Sequence, residues 1–329
     1  MMQWVIATAM CFSHVVLGLC PYEGINGGIL VADVTCGNGV RICGVNSTCD
    51  VFQTDINMSI PTYSEWDAIG DMRYYNLAKL FIEDSTTMTI REMVLPSKVT
   101  MLKFKNVSSL DLEHTTDTKW DSVLRLEFID SKNIKFPTTV KWPKNLQHVV
   151  FMDNEMSTIP YNLPSTIETL AIQGNGLVDL NYLPSGPAFH FLNLDSNLIK
   201  SITDYDWRAF TFLMLSSNPD LHTIANIQLS TNLTYFDIGD CPSLDHITID
   251  ESTYSALNAL QPYTGNESNM VGYNVTGNIA TNKEDCVAQN GQIKALWTNS
   301  SKYSVAVCVT NSFVPTGGSN NCTANGDRC

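Results

Sequence analysis

Five histidines lie beyond residue 18: His114, His148, His190, His222 and His246. None has the close spacing on one helix that a zinc hydrolase uses, and neither H-E-x-x-H nor G-x-S-x-G occurs. Acids such as Asp237 and Asp240 sit too close in sequence to read as anything but solvated strand residues, so no acid/base couple across a cleft is expected. No nucleophile has a base placed for it. The chain therefore reads as non-catalytic and without a cofactor. What does recur is aromatic. Phe191, Phe212 and Tyr235 follow one another at intervals of 21 and 23 residues. Asn193 and Asp237 stand two places after the first and last of them, and Asp195 and Ser216 stand four places after the first and second. An aromatic strip edged by acceptors suits a sugar face or a peptide carrying basic groups.

The elements that would position these residues are internal repeats. LQHVVFMDNEMSTIP from Leu146, IETLAIQGNGLVDL from Ile167, FHFLNLDSNLIKSI from Phe189, FTFLMLSSNPDLHTI from Phe210 and LTYFDIGDCPSLDHI from Leu233 all fit L-x-x-L-x-L-x-x-N-x-L, where L is any apolar residue. Weaker copies at Leu80, Leu102 and Leu126 precede them. Successive fourth positions (80, 102, 126, 149, 170, 192, 213, 236) are 22, 24, 23, 21, 22, 21 and 23 apart. Positions 4 and 6 alternate along a short strand, so both point inward, and positions 3, 5 and 7 point outward. Position 3 reads Met101, Arg125, His148, Thr169, Phe191, Phe212 and Tyr235 from the second repeat onward. His148 and His190 then fall two repeats apart, roughly 10 Å, too far for one metal. Position 9 is Asn154, Asn175, Asn197 and Asn218, with Cys241 in the last place. An amide there can donate and accept where the chain turns and backbone groups lose their strand partners. Such short repeats, with Pro137, Pro143, Pro160, Pro164 and Pro184 between the strands, leave little room for helices. The expected fold is an α/β-type right-handed solenoid with a parallel sheet on its concave face and a mostly extended or 3-10 convex side.

A solenoid exposes core at both ends and needs caps. The chain divides into a signal peptide (1–18), an N-terminal cysteine cap (19–79), about eight repeats (80–249), a C-terminal cysteine cap (250–309) and a Gly/Ser/Asn tail with a small cysteine loop (310–329). The leader rests on the apolar run from Trp4 to Leu19, which is too short for a membrane span. The caps hold Cys20, Cys36, Cys43 and Cys49 at one end and Cys286, Cys308, Cys322 and Cys329 at the other. Four cysteines allow three pairings. Proximity favours Cys286–Cys308 and Cys322–Cys329, and at the other end Cys20–Cys36 and Cys43–Cys49. Cys241 is left as a free thiol. Sequons at Asn46, Asn57, Asn106, Asn232, Asn266, Asn274, Asn299 and Asn321 fit a secreted glycoprotein. A glycan on Asn106 would crowd the N-terminal part of the sheet face. With a net charge of −14 over 329 residues and no basic stripe, nucleic acid is excluded as a partner.

The repeat pattern, CPYEG from Cys20, repeats of the kind NLPSTIETLAIQGN and the segment CVAQNGQIKALW running on to Cys308 resemble a known family. They are similar to the ectodomains of oomycete leucine-rich-repeat receptor-like kinases and their secreted, kinase-free relatives, over most of residues 20 to 309. The resemblance implies a disulfide-capped leucine-rich-repeat solenoid that binds an extracellular protein, peptide or glycan on its concave face. Such receptors continue into a membrane helix and a kinase. This sequence contains no span in its mature part and no kinase motif. It is expected to be a secreted form, or the ligand-binding part of such a receptor. A structural cell-wall protein is the other reading.

Overall fold

The computed structural model describes residues 20–37, 42–54, 56–57, 59–265 and 270–311. The expected leader, Asn266, Asn321, Cys322, Cys329 and nearly all of the expected tail lie outside the described residues.

The chain is a β-solenoid of ten turns. Each turn contributes one strand to a ten-stranded, wholly parallel sheet: Thr62–Ser64, Lys79–Glu83, Met101–Lys105, Arg125–Ile129, His148–Met152, Thr169–Gln173, Phe191–Asn193, Phe212–Met214, Tyr235–Asp237 and Gly272–Asn274. We number the turns 1 to 10 in that order. The fourth positions stay in register from Leu80↔Leu102 through Leu213↔Phe236, and on to Phe236↔Tyr273. Turns 1 and 10 are the two that the period does not reach. Tyr63 pairs with Ile82 rather than with Leu80, and Tyr273 follows Phe236 by 37 residues.

Register explains the core. The inward side chains at positions 4 and 6 are fully buried in one continuous cluster along turns 2 to 9. Burying each such side chain contributes roughly 1.5–3 kcal/mol. Stacking repeats also stacks like on like: the rings of Phe104, Phe128 and Phe151, all at position 6, lie parallel at 5.6 and 5.1 Å between centroids.

The opposite wall is extended, as expected, but its segments pair with one another and little of it is 3-10 helix. Only two 3-10 helices occur among the described residues, Val34–Cys36 and Thr115–Asp117. The wall is instead two further sheets. One runs from Ile134–Lys135 through Leu110–Asp111, Met88–Thr89 and Ala68–Ile69 to Ile29–Val31, Cys43–Val45 and Val51–Gln53. The other runs from Ser201–Thr203 through Thr223–Ile227, His246–Asp250 and Val305–Thr310 to Ile279–Ala280. Turn lengths within three residues of one another align these segments as well as the main strands, so their backbone groups find ladder partners. Between the two sheets lie Pro160, Pro164 and Pro184, whose missing N–H removes a ladder donor.

Both ends close with antiparallel pairs. At the N-terminal end Ile29–Val31 meets Cys43–Val45, with Val31 opposite Cys43. The short helix after Val31 brings Cys36 back to Cys43, and these two are bonded, while Cys20 is bonded to Cys49. The pairs Cys20–Cys36 and Cys43–Cys49 are therefore wrong: the hairpin nests one bridge inside the other. At the C-terminal end helix Glu251–Asn258 is capped by the Asp250 carboxylate, which accepts from Thr253 N–H at 2.7 Å. Gln292–Leu296 pairs antiparallel with Val305–Thr310, and Cys286 is bonded to Cys308. Trp297 lies flat on Tyr273 at 4.0 Å and closes the core.

Candidate functional site

Every strand of the main sheet in turns 1 to 9 ends in the same turn. Position 8 has a positive φ in each: Glu65, Asp84, Asn106, Asp130, Asp153, Gly174, Ser196, Ser217 and Asp240. Short polar side chains and glycine tolerate that left-handed conformation best. The turn breaks the strand ladder, and position 9 repairs it. Asn154 Nδ2 donates to Phe128 O at 2.9 Å, and Asn175 Nδ2 to Phe151 O at 3.0 Å. Asn197 Nδ2 donates to Ile172 O at 2.6 Å, and Asn218 Nδ2 to Leu194 O at 3.0 Å. Each acceptor is the position-6 carbonyl of the preceding turn. The amide oxygens accept in return from Ser131, Met156, Leu177 and Ile199 N–H. Cys241 is unbonded to any other cysteine, and its thiol donates to Leu215 O at 3.3 Å, the equivalent acceptor. The column extends further back than expected, to Ser131, Val107 and Ser85. Ser131 Oγ accepts from Val107 N–H at 3.2 Å, but Val107 has nothing to offer Ser85, whose buried hydroxyl has no partner.

This frame fixes the outward rows. In the N-terminal half the face is charged: Lys103 pairs with Glu83 at 3.0 Å and lies over the Phe81 ring, and Arg125 pairs with Glu127 at 2.6 Å. The C-terminal half is aromatic and acidic. Parallel register sets Phe191 opposite Phe212 and Phe212 opposite Tyr235. Their ring centroids are 5.3 and 6.4 Å apart.

The structure separates these residues into two groups. Phe191, Phe212, Asp195 and Ser216 are half-buried and reachable. Tyr235, Asp237 and Asn193 are not open to a ligand; they are exposed by 2%, 6% and 8%. For Tyr235 and the Asp237 beneath it the cause is a segment too distant in sequence to be read from the repeat. Residues 260–263 double back beside the Gly272–Asn274 strand, with Tyr263 N–H donating to Tyr273 O at 2.8 Å. This sets the Tyr263 ring edge-on to Tyr235 at 5.3 Å. Beneath it the Tyr235 hydroxyl, Gly239 N–H and Asn274 Nδ2 all donate to the Asp237 carboxylate. Asn193 Oδ1 accepts from Asp195 N–H at 2.9 Å, and its Nδ2 faces Gln173 at 3.4 Å. These buried groups support the site rather than form its surface. Gln173, Tyr263 and Asn274 were not legible as part of it; the register of Gln173 on the strand before Phe191 was the available signal for one of them.

Asp195 is the chemically distinctive member. Burial, and after it the negative potential of Asp237, pushes its carboxyl up to about 6, while hydrogen bonds from Ser216 oppose the shift. One of those bonds is Ser216 N–H to Asp195 Oδ1 at 2.9 Å. Two strands away, burial and then Arg125 lower the His148 value. His190 is tied to Ala188 O, His222 to Asp220 O and His246 to the Thr248 hydroxyl. Among the described residues, no group of three or more His, Cys, Asp or Glu side chains could hold a metal ion. Of the sequons, Asn57, Asn106, Asn232 and Asn299 are exposed and Asn46 is half-buried, while the Asn274 amide is spent on Asp237. Among the described residues no helix is long and apolar enough to cross a membrane.

No family model matches the chain, and neither a curated protein nor a solved structure does.

Proposed function

We propose that this chain is a secreted, non-catalytic recognition protein of the leucine-rich-repeat kind, built like the ectodomain of an oomycete receptor-like kinase or one of its kinase-free relatives. Its ligand is an extracellular protein, peptide or glycan, held on the C-terminal half of the ten-stranded sheet face. The observation that carries this reading is the half-exposed Phe191–Phe212 pair at 5.3 Å, on adjacent strands and with the raised carboxyl of Asp195 on the same face. A packed solenoid gains nothing in its core from outward aromatics, whereas a ligand face gains stacking area and orientation from them. The acceptor beside the rings favours ligands that bring a donor or a cation to a ring face. Secretion is supported by the three disulfides among the described residues, which persist in an oxidising compartment.

The test is the double change Phe191→Ser and Phe212→Ser, with Tyr235 left in place because it is buried. The purified variant and the parent are screened against immobilised cell-wall glycans and peptides. The variant is expected to keep its thermal transition and to lose about tenfold or more in affinity for whatever the parent binds. Undiminished binding by the folded variant removes the site from this face.

A further inference from the structure

The turns of the solenoid are sealed to one another by position 9, and the seal fails once at the C-terminal end. Turns 2 to 9 follow at steady intervals, and from turn 5 onward each ladder side chain reaches the position-6 carbonyl behind it. Turn 10 arrives late, after the inserted helix Glu251–Asn258. Its residue in the ladder place, Asn278, turns the other way and accepts from Ser304 N–H at 2.9 Å. Turn 10 is tied to turn 9 through Asn274 and Thr276 and not through its ladder place, which leaves a gap between Pro242 and Ile279. The gap encloses about 650 Å³.

We propose that this cleft is a second binding site, for a small uncharged molecule with an apolar body and one hydrogen-bond donor. The volume lies within the range of small-molecule sites, roughly 300–1,000 Å³. Its walls are Ile238, Pro242, Val275 and Ile279, and the Cys241 thiol is part of its lining. Asp240 is the one charged lining residue. It is held in place by two contacts with Thr276: its N–H donates to Thr276 Oγ1 at 2.6 Å, and its Oδ1 accepts from the Thr276 hydroxyl at 3.1 Å. With no lysine, arginine or histidine in the lining, an anion has no counter-charge there. The Cys241 thiol is pushed up to about 11 by burial, so at neutral pH it is a neutral wall and not a soft metal ligand. A donor on the ligand meets the fixed Asp240 carboxylate, and the ring or chain behind it fills the apolar part. The cleft shares no residue with the Phe191–Phe212 face, so the two sites stand or fall separately.

The probe is N-phenyl-1-naphthylamine, which is uncharged, apolar and carries one N–H, and which fluoresces on leaving water. The purified full chain is titrated with it. In parallel, alkylation of Cys241 by iodoacetamide is followed under native, non-reducing conditions by peptide mass spectrometry. Saturable binding to a single site is expected, with about tenfold slower alkylation of Cys241 at saturating probe. Prior modification of Cys241 with N-cyclohexylmaleimide is expected to abolish the fluorescence. A Cys241→Asn variant has no thiol to modify, so the probe signal it gives should be the same with and without the maleimide. The proposal is overturned by the absence of saturable binding up to ~100 µM probe. It is equally overturned by probe binding that leaves the Cys241 alkylation rate unchanged, or that survives on parent chain shown by mass spectrometry to carry the maleimide on Cys241.

Discussion

Replacing Asp195 by Asn separates what the carboxylate does for the fold from what it does for a ligand. In the folded chain Asp195 is pushed up to about 6 from an ordinary 3.8. About two units, at about 1.36 kcal/mol each, set an upper bound of about 3 kcal/mol on the cost of ionising it in place. Asp195 keeps some contact with water, which reduces the figure to about 1–2 kcal/mol. The sign follows from the direction of the shift. A carboxyl whose folded value lies above its unfolded one contributes stability that is fully present below about pH 4 and is lost as pH rises through about 6. The amide of the Asp195→Asn variant does not titrate, and it retains an oxygen to accept the Ser216 N–H. Urea denaturation of parent and variant is measured at about pH 4 and about pH 8, where shared titrations cancel in the difference. The variant is expected to match the parent at the lower pH and to exceed it by about 1–2 kcal/mol at the higher. An equal difference at both values, or a parent that gains on the variant at high pH, would refute a buried, raised carboxyl at this position. A ligand with a basic group should show the opposite ranking, binding the more stable variant less well.

The ladder gives a sharper contrast. Asn197→Ala strands the Ile172 carbonyl and the Leu177 N–H, and should cost about 2–4 kcal/mol in denaturant. Cys241→Asn, which restores the repeat's own residue, should stay within about 1 kcal/mol of the parent. Non-reducing peptide maps are expected to recover Cys20 linked to Cys49 and Cys36 linked to Cys43; a Cys20–Cys36 peptide would contradict the nested hairpin.

Where one repeat predicts the next, the sequence was readable. The inward pairs such as Leu192 with Leu194, and the amides at Asn154 through Asn218, depend only on local alternation and a fixed turn. The left-handed column from Asp84 to Asp240 was equally visible, as a run of Asp, Asn, Gly and Ser at one position, and it marks the turns more continuously than asparagine does. The ends were not readable, because nothing periodic specifies them. Tyr63 enters the sheet in the register of position 6, and Tyr273 follows an inserted helix. The burial of Tyr235 depends on Tyr263, a residue in no repeat. The second wall depends on near-equal turn lengths aligning segments whose own composition carries little strand signal. The N-terminal bridges depend on which strands pair in a hairpin, and the distance between cysteines along the chain does not encode that.

The two interruptions of the amide column, at Val107 and between Cys241 and Asn278, have a consequence for how the chain comes apart. In a linear array each unit is held only by its neighbours, so cooperativity is transmitted joint by joint. The joints from Ser131 to Cys241 each carry a side-chain bond to the turn before, while the joint at Val107 carries packing without a side-chain bond toward Ser85. The column thus ties turns 3 to 9 into one block, and the joints on either side are held by surface bonds in its place, Lys103 to Glu83 at 3.0 Å and Asn274 Nδ2 to Asp237 at 3.0 Å. The half-exposed aromatic face of turns 7 and 8 lies inside that block, so partial opening of either end leaves it assembled.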